Sequence, residues 1–346
     1  MTPTSTRGPV LVADATEEHD AAIEALFDEA RVPIRPEFWE RSYSPQAPSH
    51  FLSTPQVAVR DGRVEAFAAA RPTQMYVDGE YLRAHVLHDV IATPGRESRE
   101  ESREAIAALL HHYLLHTDLL LSAGPGIALA WILQQERFQW AGNFHRLRYP
   151  ARVAERAARQ TKRFLAKKTQ RLEDALPAQP YDMALTEALP EILEPQNQVL
   201  IREKRIFRQR TGPERNWLFR GPAAEDFLVY LAQEESPCDA YAVLRRDTGR
   251  SGEAELHAVD FYAPIESAAR LAQSLKQIQT EQQATLYFSV LNDDWAGALE
   301  KEGFERLAPR WGVFWALGDS RAKSRGLALI ERQNWLLTPA DGEADR

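Results

Sequence analysis

With 346 residues, 44% of them apolar, the chain has the length of about two domains and enough apolar material for a core in each. Its 42 basic and 50 acidic residues leave a formal charge of −8, which disfavours nucleic acid as a general partner and restricts any such contact to a local patch. The single cysteine, Cys238, excludes an internal disulfide framework and a cysteine-built zinc site, and fits a reducing compartment.

The N-terminal stretch MTPTSTRGPVLVADATEEHD lacks the basic start and apolar run of a secretory signal. The longest apolar runs, AIAALLHHYLLH and DLLLSAG, fall short of the roughly 20 residues that cross a bilayer. A cytoplasmic protein without a membrane span is expected. Asp14 and Thr16 then precede EEHDAAIEALFDEARV, where Ile23, Leu26 and Phe27 recur at helical spacing behind an acidic first turn. EFWERSY reads as a second short helix. From Gln56 the apolar spacing changes to period two, broken at Asp61-Gly62 and Asp78-Gly79, which predicts three antiparallel strands joined by tight turns and ending in LHDVIATP. REAIAALLHHYLLHTD puts Ile106, Leu109, Leu110, Tyr113 and Leu114 on one helical face, DLLLSAG reads as a buried strand, ALAWILQQERF as a helix and HRLRYP as a strand.

Arg152 to Leu176 is basic and helical in propensity, with PAQP after it, and reads as a connector. Beyond it the order repeats: helix (LPEILEPQNQVLIREKR), strands (DFLVYLA, DAYAVLRR, ELHAVDFYAP), helix (IESAARLAQSLKQIQTEQ), strand (ATLYFSV), helix (DWAGALEKEGF) and strand (RWGVFWAL). Leu-His followed by a Pro-ended stretch occurs in both halves, as LHDVIATP at 87–94 and LHAVDFYAP at 256–264, at similar offsets from the preceding strands, the mark of an internal duplication. The expected architecture is α/β (α+β), two domains each with a mixed, mostly antiparallel sheet flanked by helices. The boundaries are 1–150, a basic connector at 151–180, and 181–346.

Strand, strand, strand, a Pro-ended strand entering a helix, then strand, helix, Gly-Phe or Arg-Phe turn and last strand resembles the GNAT superfamily of N-acetyltransferases. VLHDVIATPGRESREESREAIAAL is similar to its fourth strand and cofactor loop, and ALAWILQQERFQWAG to its fourth helix and closing turn. ELHAVDFYAP and WAGALEKEGFERL take those parts in the second half. The tail NWLLTPADGEAD is similar to endings of GNAT-like proteins from bacterial polysaccharide gene clusters.

The resemblance implies acetyl-CoA or another acyl-CoA as co-substrate and the amine of a small molecule or saccharide as acceptor. It also implies a fourth strand splayed from the fifth, and a pyrophosphate held by the loop and helix start. The donor-binding residues are then Val90, Ile91, Ala92, Gly95, Arg96, Ser98, Arg99, Ser102 and Arg103, since unpaired N–H groups at a helix start favour anions. The sequence departs from the family's glycine-rich loop and places Leu133 and Leu299 where the family carries its general-acid tyrosine.

His88 or Asp89, at the end of the fourth strand, is the expected base. Adjacent strand residues face opposite sides, so only one of them should enter a given cleft. Asp260 and Tyr262, two apart and on one face, are the expected base and acid of the second half. All four also read as polar residues with a purely structural role. His112 and His116 have a chelating spacing but no third ligand nearby, so no metal is expected. IREKRIFRQRTGPERNWLFR carries Arg202, Lys204, Arg205, Arg208, Arg210, Arg215 and Arg220, and reads as a basic surface face or a phosphate contact. Trp131, Trp140, Trp311 and Trp315 read as core. Two other functions fit the pattern: a Fem-like transferase using aminoacyl-tRNA, and a non-catalytic GNAT-like scaffold. A homodimer is left open.

Overall fold

A computed structural model describes residues 8–32, 34, 43, 52–93, 99–151, 178–186, 193–221, 226–232, 240–249, 252–309, 312–318 and 335–339. EFWERSY apart from Tyr43, the connector helix, Trp311, and the cofactor-loop residues Gly95, Arg96 and Ser98 lie outside these.

In the first half β1 (Leu11–Asp14) leads through one 3-10 turn into α1 (Asp20–Glu29). Ile23, Leu26 and Phe27 are its buried residues, as their spacing predicts. The turns Asp61-Gly62 and Asp78-Gly79 have positive φ at both residues (49° and 76°, 47° and 92°), the conformation that joins twisted strands tightly. They connect β2 (Thr54–Arg60), β3 (Arg63–Val77) and β4 (Glu80–Ala92). Next come α2 (Arg99–His116), β5 (Leu119–Ala123), α3 (Ile127–Gln135), β6 (Gln139–Asn143) and β7 (His145–Tyr149). Alternation splits the first sheet's faces: Val57, Phe67, Ala69 and Ile91 pack on α1, whereas Ala58, Ala66, Ala68, Ala70 and Leu87 pack on α2. Ala66, Ala68 and Ala70 let α2 lie close.

The second half runs β8 (Met183–Thr186), α4 (Leu193–Arg202), β9 (Ile206–Arg208), α5 (Gly212–Arg220), β10 (Phe227–Ala232), β11 (Tyr241–Thr248) and β12 (Ala254–Tyr262). It continues with α6 (Ala268–Glu281), β13 (Thr285–Val290), α7 (Asp293–Lys301), β14 (Glu305–Leu307), β15 (Gly312–Leu317) and β16 (Trp335–Leu336). β1, β6, β8, β9, β14, β16 and α5 go beyond the sequence expectation. In α5, Gly-Pro looks like a break. Thr211 instead caps the helix by accepting from the Glu214 N–H, and Pro213 sits in the first turn, where a missing N–H costs nothing.

The strand orders are β1-β2-β3-β4-β5-β15-β6 and β8-β10-β11-β12-β13-β7-β14, with β9 and β16 attached to the first sheet at β3. In both orders every pair is antiparallel except β4–β5 and β12–β13. The two sheets therefore match strand for strand and share the α/β class with mixed, mostly antiparallel pairing. The halves also exchange strands: β7, from the first half, fills the place between β13 and β14, and β15, from the second, fills the place between β5 and β6. Only Phe144, fully buried, separates β6 in one sheet from β7 in the other.

Two expectations about side chains change. The 202–220 stretch is not a basic surface: Arg202 and Lys204 are exposed, but Arg208, Arg210 and Arg215 are buried, Arg208 against Thr73 of the first half and the other two against Asp260. Trp315 is core, whereas Trp131 and Trp140 are about half exposed (47% and 56%), because α3 and β6 turn those positions to solvent.

Candidate active site

β4 and β5 pair from Ala84–Leu119 to Leu87–Ser122, after which β4 continues to Ala92 with no β5 partner. The parallel strands fork there. One residue past the last pair, the β3–β4 ladder carries a bulge: Ala69 faces His88 and Phe67 faces Ile91, leaving one extra residue on β4. Asp89 takes up that residue with φ 51°, a left-handed conformation that Asp tolerates better than most side chains.

The bulge corrects the expectation that His88 and Asp89 face opposite sides. The alternation of side chains holds for regular strand, and the turn at Asp89 breaks it, so that His88 Nδ1 lies 2.7 Å from Asp89 Oδ2. The other ring nitrogen, Nε2, is 2.7 Å from Ser53 Oγ. Tyr43 donates its hydroxyl to the same Asp89 oxygen at 2.9 Å, and its ring lies 5.9 Å from the imidazole. In the row Pro55–Ala69–His88, a methyl is all that stands between β2 and β4 on that face, so the ring can lie across the sheet. His88 is 7% exposed and Ser53 8%, while the Asp89 side chain keeps 23% of its surface. Ser53 and Tyr43 were not anticipated from sequence. Their partners are 35 and 46 residues away, and no local motif marks them.

Ser53 is held in place by its successor. Thr54 donates its hydroxyl to the Ala70 carbonyl at 3.1 Å, and the Thr54 carbonyl lies 2.5 Å from the Tyr113 hydroxyl on α2. Burial pushes the Tyr113 hydroxyl far above its ordinary range, so it remains a donor at any physiological pH.

Of the expected donor-binding residues, Val90 and Ala92 pack toward α2 and Ile91 toward α1. This leaves the strand's backbone edge, beyond Leu87, facing the fork. Ser102 donates to the Thr93 carbonyl at 2.8 Å and draws the end of β4 onto the first turn of α2. Arg99 opens α2, and Arg103 reaches Glu136 beyond the end of α3 at 3.3 Å. Leu133 and Leu299 are fully buried core residues, so neither fourth helix offers an acid at that position.

The second sheet forks in the same way: β12 and β13 pair from Glu255–Thr285 to Ala258–Phe288, β12 runs on to Tyr262, and a bulge falls at Val259. The repeated Leu-His is nevertheless not equivalent. His257 pairs within the parallel ladder, opposite Tyr287, and stacks on that ring at 4.9 Å, whereas His88 lies beyond its ladder.

Asp260 is fully buried and occupied, contrary to the base expected there. Tyr241 and Thr338 donate hydroxyls to it at 3.0 and 2.9 Å, the Phe261 N–H at 3.1 Å, and Arg210 and Arg215 pair with it at 3.5 and 3.4 Å. Its lone pairs are committed to holding two buried guanidiniums. Tyr262, the acid expected beside it, makes no hydrogen bond through its hydroxyl among the described residues, and burial raises its pKa. No hydrogen bond joins the two. Arg208 is paired with Glu214 and donates to Thr73 at 3.0 Å. The rings of His112 and His116 lie 4.9 Å apart, tilted at 57°, and no cluster of metal-ligating side chains occurs among the described residues.

With its two mixed sheets and forked parallel strands, the chain has the fold of the GNAT N-acetyltransferases. A GCN5-related N-acetyltransferase from Anabaena variabilis ATCC 29413 is similar at a TM-score of 0.59 and 13% identity, over 88% of this chain and 72% of that one. A conserved protein of unknown function from Enterococcus faecalis V583, described as a probable N-acyltransferase, gives 0.57 and 11% over 94% and 74%. A GCN5-related N-acetyltransferase from Kribbella flavida gives 0.57 and 13% over 89% and 71%. No family model and no curated protein matches the sequence. Among the described residues no helix is long and apolar enough to cross a membrane.

Proposed function

We propose that the protein is an N-acyltransferase that moves an acyl group, acetyl in the first instance, from a coenzyme A thioester to an amine of a small molecule or sugar. We further propose that its two halves, near 1–150 and 181–346, descend from one duplicated domain, and that the first carries the chemistry. The observation that supports this reading most is the hydrogen-bonded His88–Asp89 pair at the bulge beside the β4–β5 fork. A histidine whose Nδ1 faces a carboxylate presents Nε2 as a base, and the imidazolium that forms is stabilised by that carboxylate. Strand N–H groups on the edge beyond Leu87 are suited to polarise the thioester carbonyl. Gly95, Arg96, Ser98 and Arg99, at the entry to α2, are the proposed pyrophosphate contacts.

In the second half Asp260, the base expected there, is tied to Arg210 and Arg215, and the one histidine–carboxylate pair among its described residues, His257–Glu255 at 3.0 Å, lies inside the β12–β13 ladder rather than at the fork. Burial of Arg208, Arg210 and Arg215 also removes much of the support for an aminoacyl-tRNA donor, because buried guanidiniums cannot meet phosphates. Titration calorimetry with acetyl-CoA tests the proposal. Saturable binding is expected, weakened about 10-fold or more by Arg96→Glu with Arg99→Glu and little changed by His88→Gln, which should instead lower turnover by about 100-fold. No binding of acetyl-CoA to the unaltered protein would overturn it and leave the non-catalytic scaffold.

A further inference from the structure

Direct attack of the acceptor amine on the thioester needs one base, and His88 with Asp89 supplies it. The structure holds one group more than that. Ser53 Oγ sits 2.7 Å from His88 Nε2, on the side of the ring opposite Asp89, so hydroxyl, imidazole and carboxylate lie in series. This is the order of groups that activates a serine: the imidazole takes the hydroxyl proton at one nitrogen while the carboxylate fixes its tautomer at the other. The third group is itself held, because Tyr43 donates to the Asp89 oxygen that His88 uses. The serine is equally constrained, as Thr54 is bonded through its hydroxyl to Ala70 and through its carbonyl to Tyr113. A hydroxyl serving only to satisfy a buried imidazole would not require such anchoring on both neighbouring elements. Ser53 immediately precedes β2 and the other two residues lie on β4, and the contact depends on the bulge at Asp89 and the small side chain of Ala69.

We infer that Ser53 is an acyl-accepting nucleophile, so that transfer runs through an acyl-serine. The inference rests on the acyltransferase reading above. In the first step Ser53 Oγ attacks the thioester carbonyl as its proton passes to His88 Nε2. The C–S bond breaks, the sulfur takes the proton from His88, and coenzyme A leaves as the free thiol. In the second step the acceptor amine attacks the ester carbonyl, His88 takes an amine proton, the C–Oγ bond breaks, and the proton returns to Ser53. No oxidant, reductant or further reactant enters.

The protein incubated with acetyl-CoA and no acceptor, quenched in acid and digested, should carry one acetyl group on the peptide containing Ser53. It should also catalyse exchange of labelled coenzyme A into acetyl-CoA. Ser53→Ala should abolish the adduct and lower exchange by about 100-fold, while Ser53→Cys, whose thiol can take the same place, should recover an adduct. His88→Gln should bind acetyl-CoA but form no adduct. Acetyl-CoA binding by calorimetry without adduct or exchange would overturn the inference and leave direct transfer in place. An adduct that persists in Ser53→Ala would overturn it equally. Absence of acetyl-CoA binding would remove the acyltransferase reading and this inference together.

Discussion

His85 lies on β4 three residues before His88, on the opposite face, beneath α2. Its ring is 6.1 Å from that of Tyr113, and its Nδ1 has no hydrogen-bond partner among the described residues. Burial, with Arg83 and His116 nearby, pulls its pKa down to about 4. The unfolded chain would titrate at its ordinary value near 6.5. Between these limits the unfolded state binds a proton that the folded state refuses, so stability is full above about 6.5 and falls as the pH drops toward 4. The loss should approach about 1–3 kcal/mol. Thermal melts from pH 7.5 to 4.5 should show it, and His85→Asn should flatten the slope over that window. An unchanged slope would assign the acid sensitivity to other groups. Two histidines on one strand thus have separate work: His85 is kept neutral by burial, and His88 is placed between a hydroxyl and a carboxylate.

At the scale of elements, Asp260 on β12 is the carboxylate that neutralises Arg210 and Arg215, which reach it from the β9–α5 segment. Removing one partner of a buried ion pair leaves uncompensated charge, so Asp260→Ala should cost about 3–5 kcal/mol in urea denaturation. Tyr241→Phe, which deletes one hydroxyl donor to the same carboxylate, should cost about 1 kcal/mol. A loss below about 1 kcal/mol for Asp260→Ala would mean that the guanidiniums are neutralised elsewhere.

Those arginines also show where reading the sequence reaches its limit. Periodicity and Asp-Gly turns gave β2 to β5, α1 and α2 because local spacing dictates them. The forked sheet was expected only through the family resemblance that the order of elements carries. The burial of Arg208 goes with a contact to β3 about 130 residues away, and that of Arg210 and Arg215 with Asp260 about 50 residues on, neither of which a charge count along the chain can register. His88 and Asp89 were legible as candidates from their place at the strand's end, but not as partners, because a bulge leaves no signature of its own. Ser53 was missed for the same reason as the arginines. The repeated Leu-His was legible and misleading: the forks match, and the histidines within them do not.

On the scale of the whole molecule, each sheet is completed by a strand from the other half. Without β15, β5 and β6 would present two unpaired edges, and without β7 so would β13 and β14. Residues 1–150 and 151–346 produced separately should therefore fail to give soluble, sharply melting proteins. Co-expressed from two messages, they should co-purify as a one-to-one complex with acetyl-CoA affinity within about 10-fold of the intact chain. Two halves that fold alone with cooperative melts would contradict this. So would a co-expressed pair that never associates.

The exchange of β7 and β15 also bears on biosynthesis. A ribosome that has finished the first sheet's β6 must make roughly 170 more residues before the strand that seats beside it emerges, at about 5–20 residues per second. For that interval the nascent N-terminal half carries an open slot lined by Leu119, Leu121 and Ala141. A second nascent chain on the same message could fill it, and the product would be an intertwined dimer rather than a monomer. Gene fission between the halves would be tolerated only where both pieces are made together, and swapping one half for a distant homologue's would fail wherever the donated strand does not match its adopted sheet.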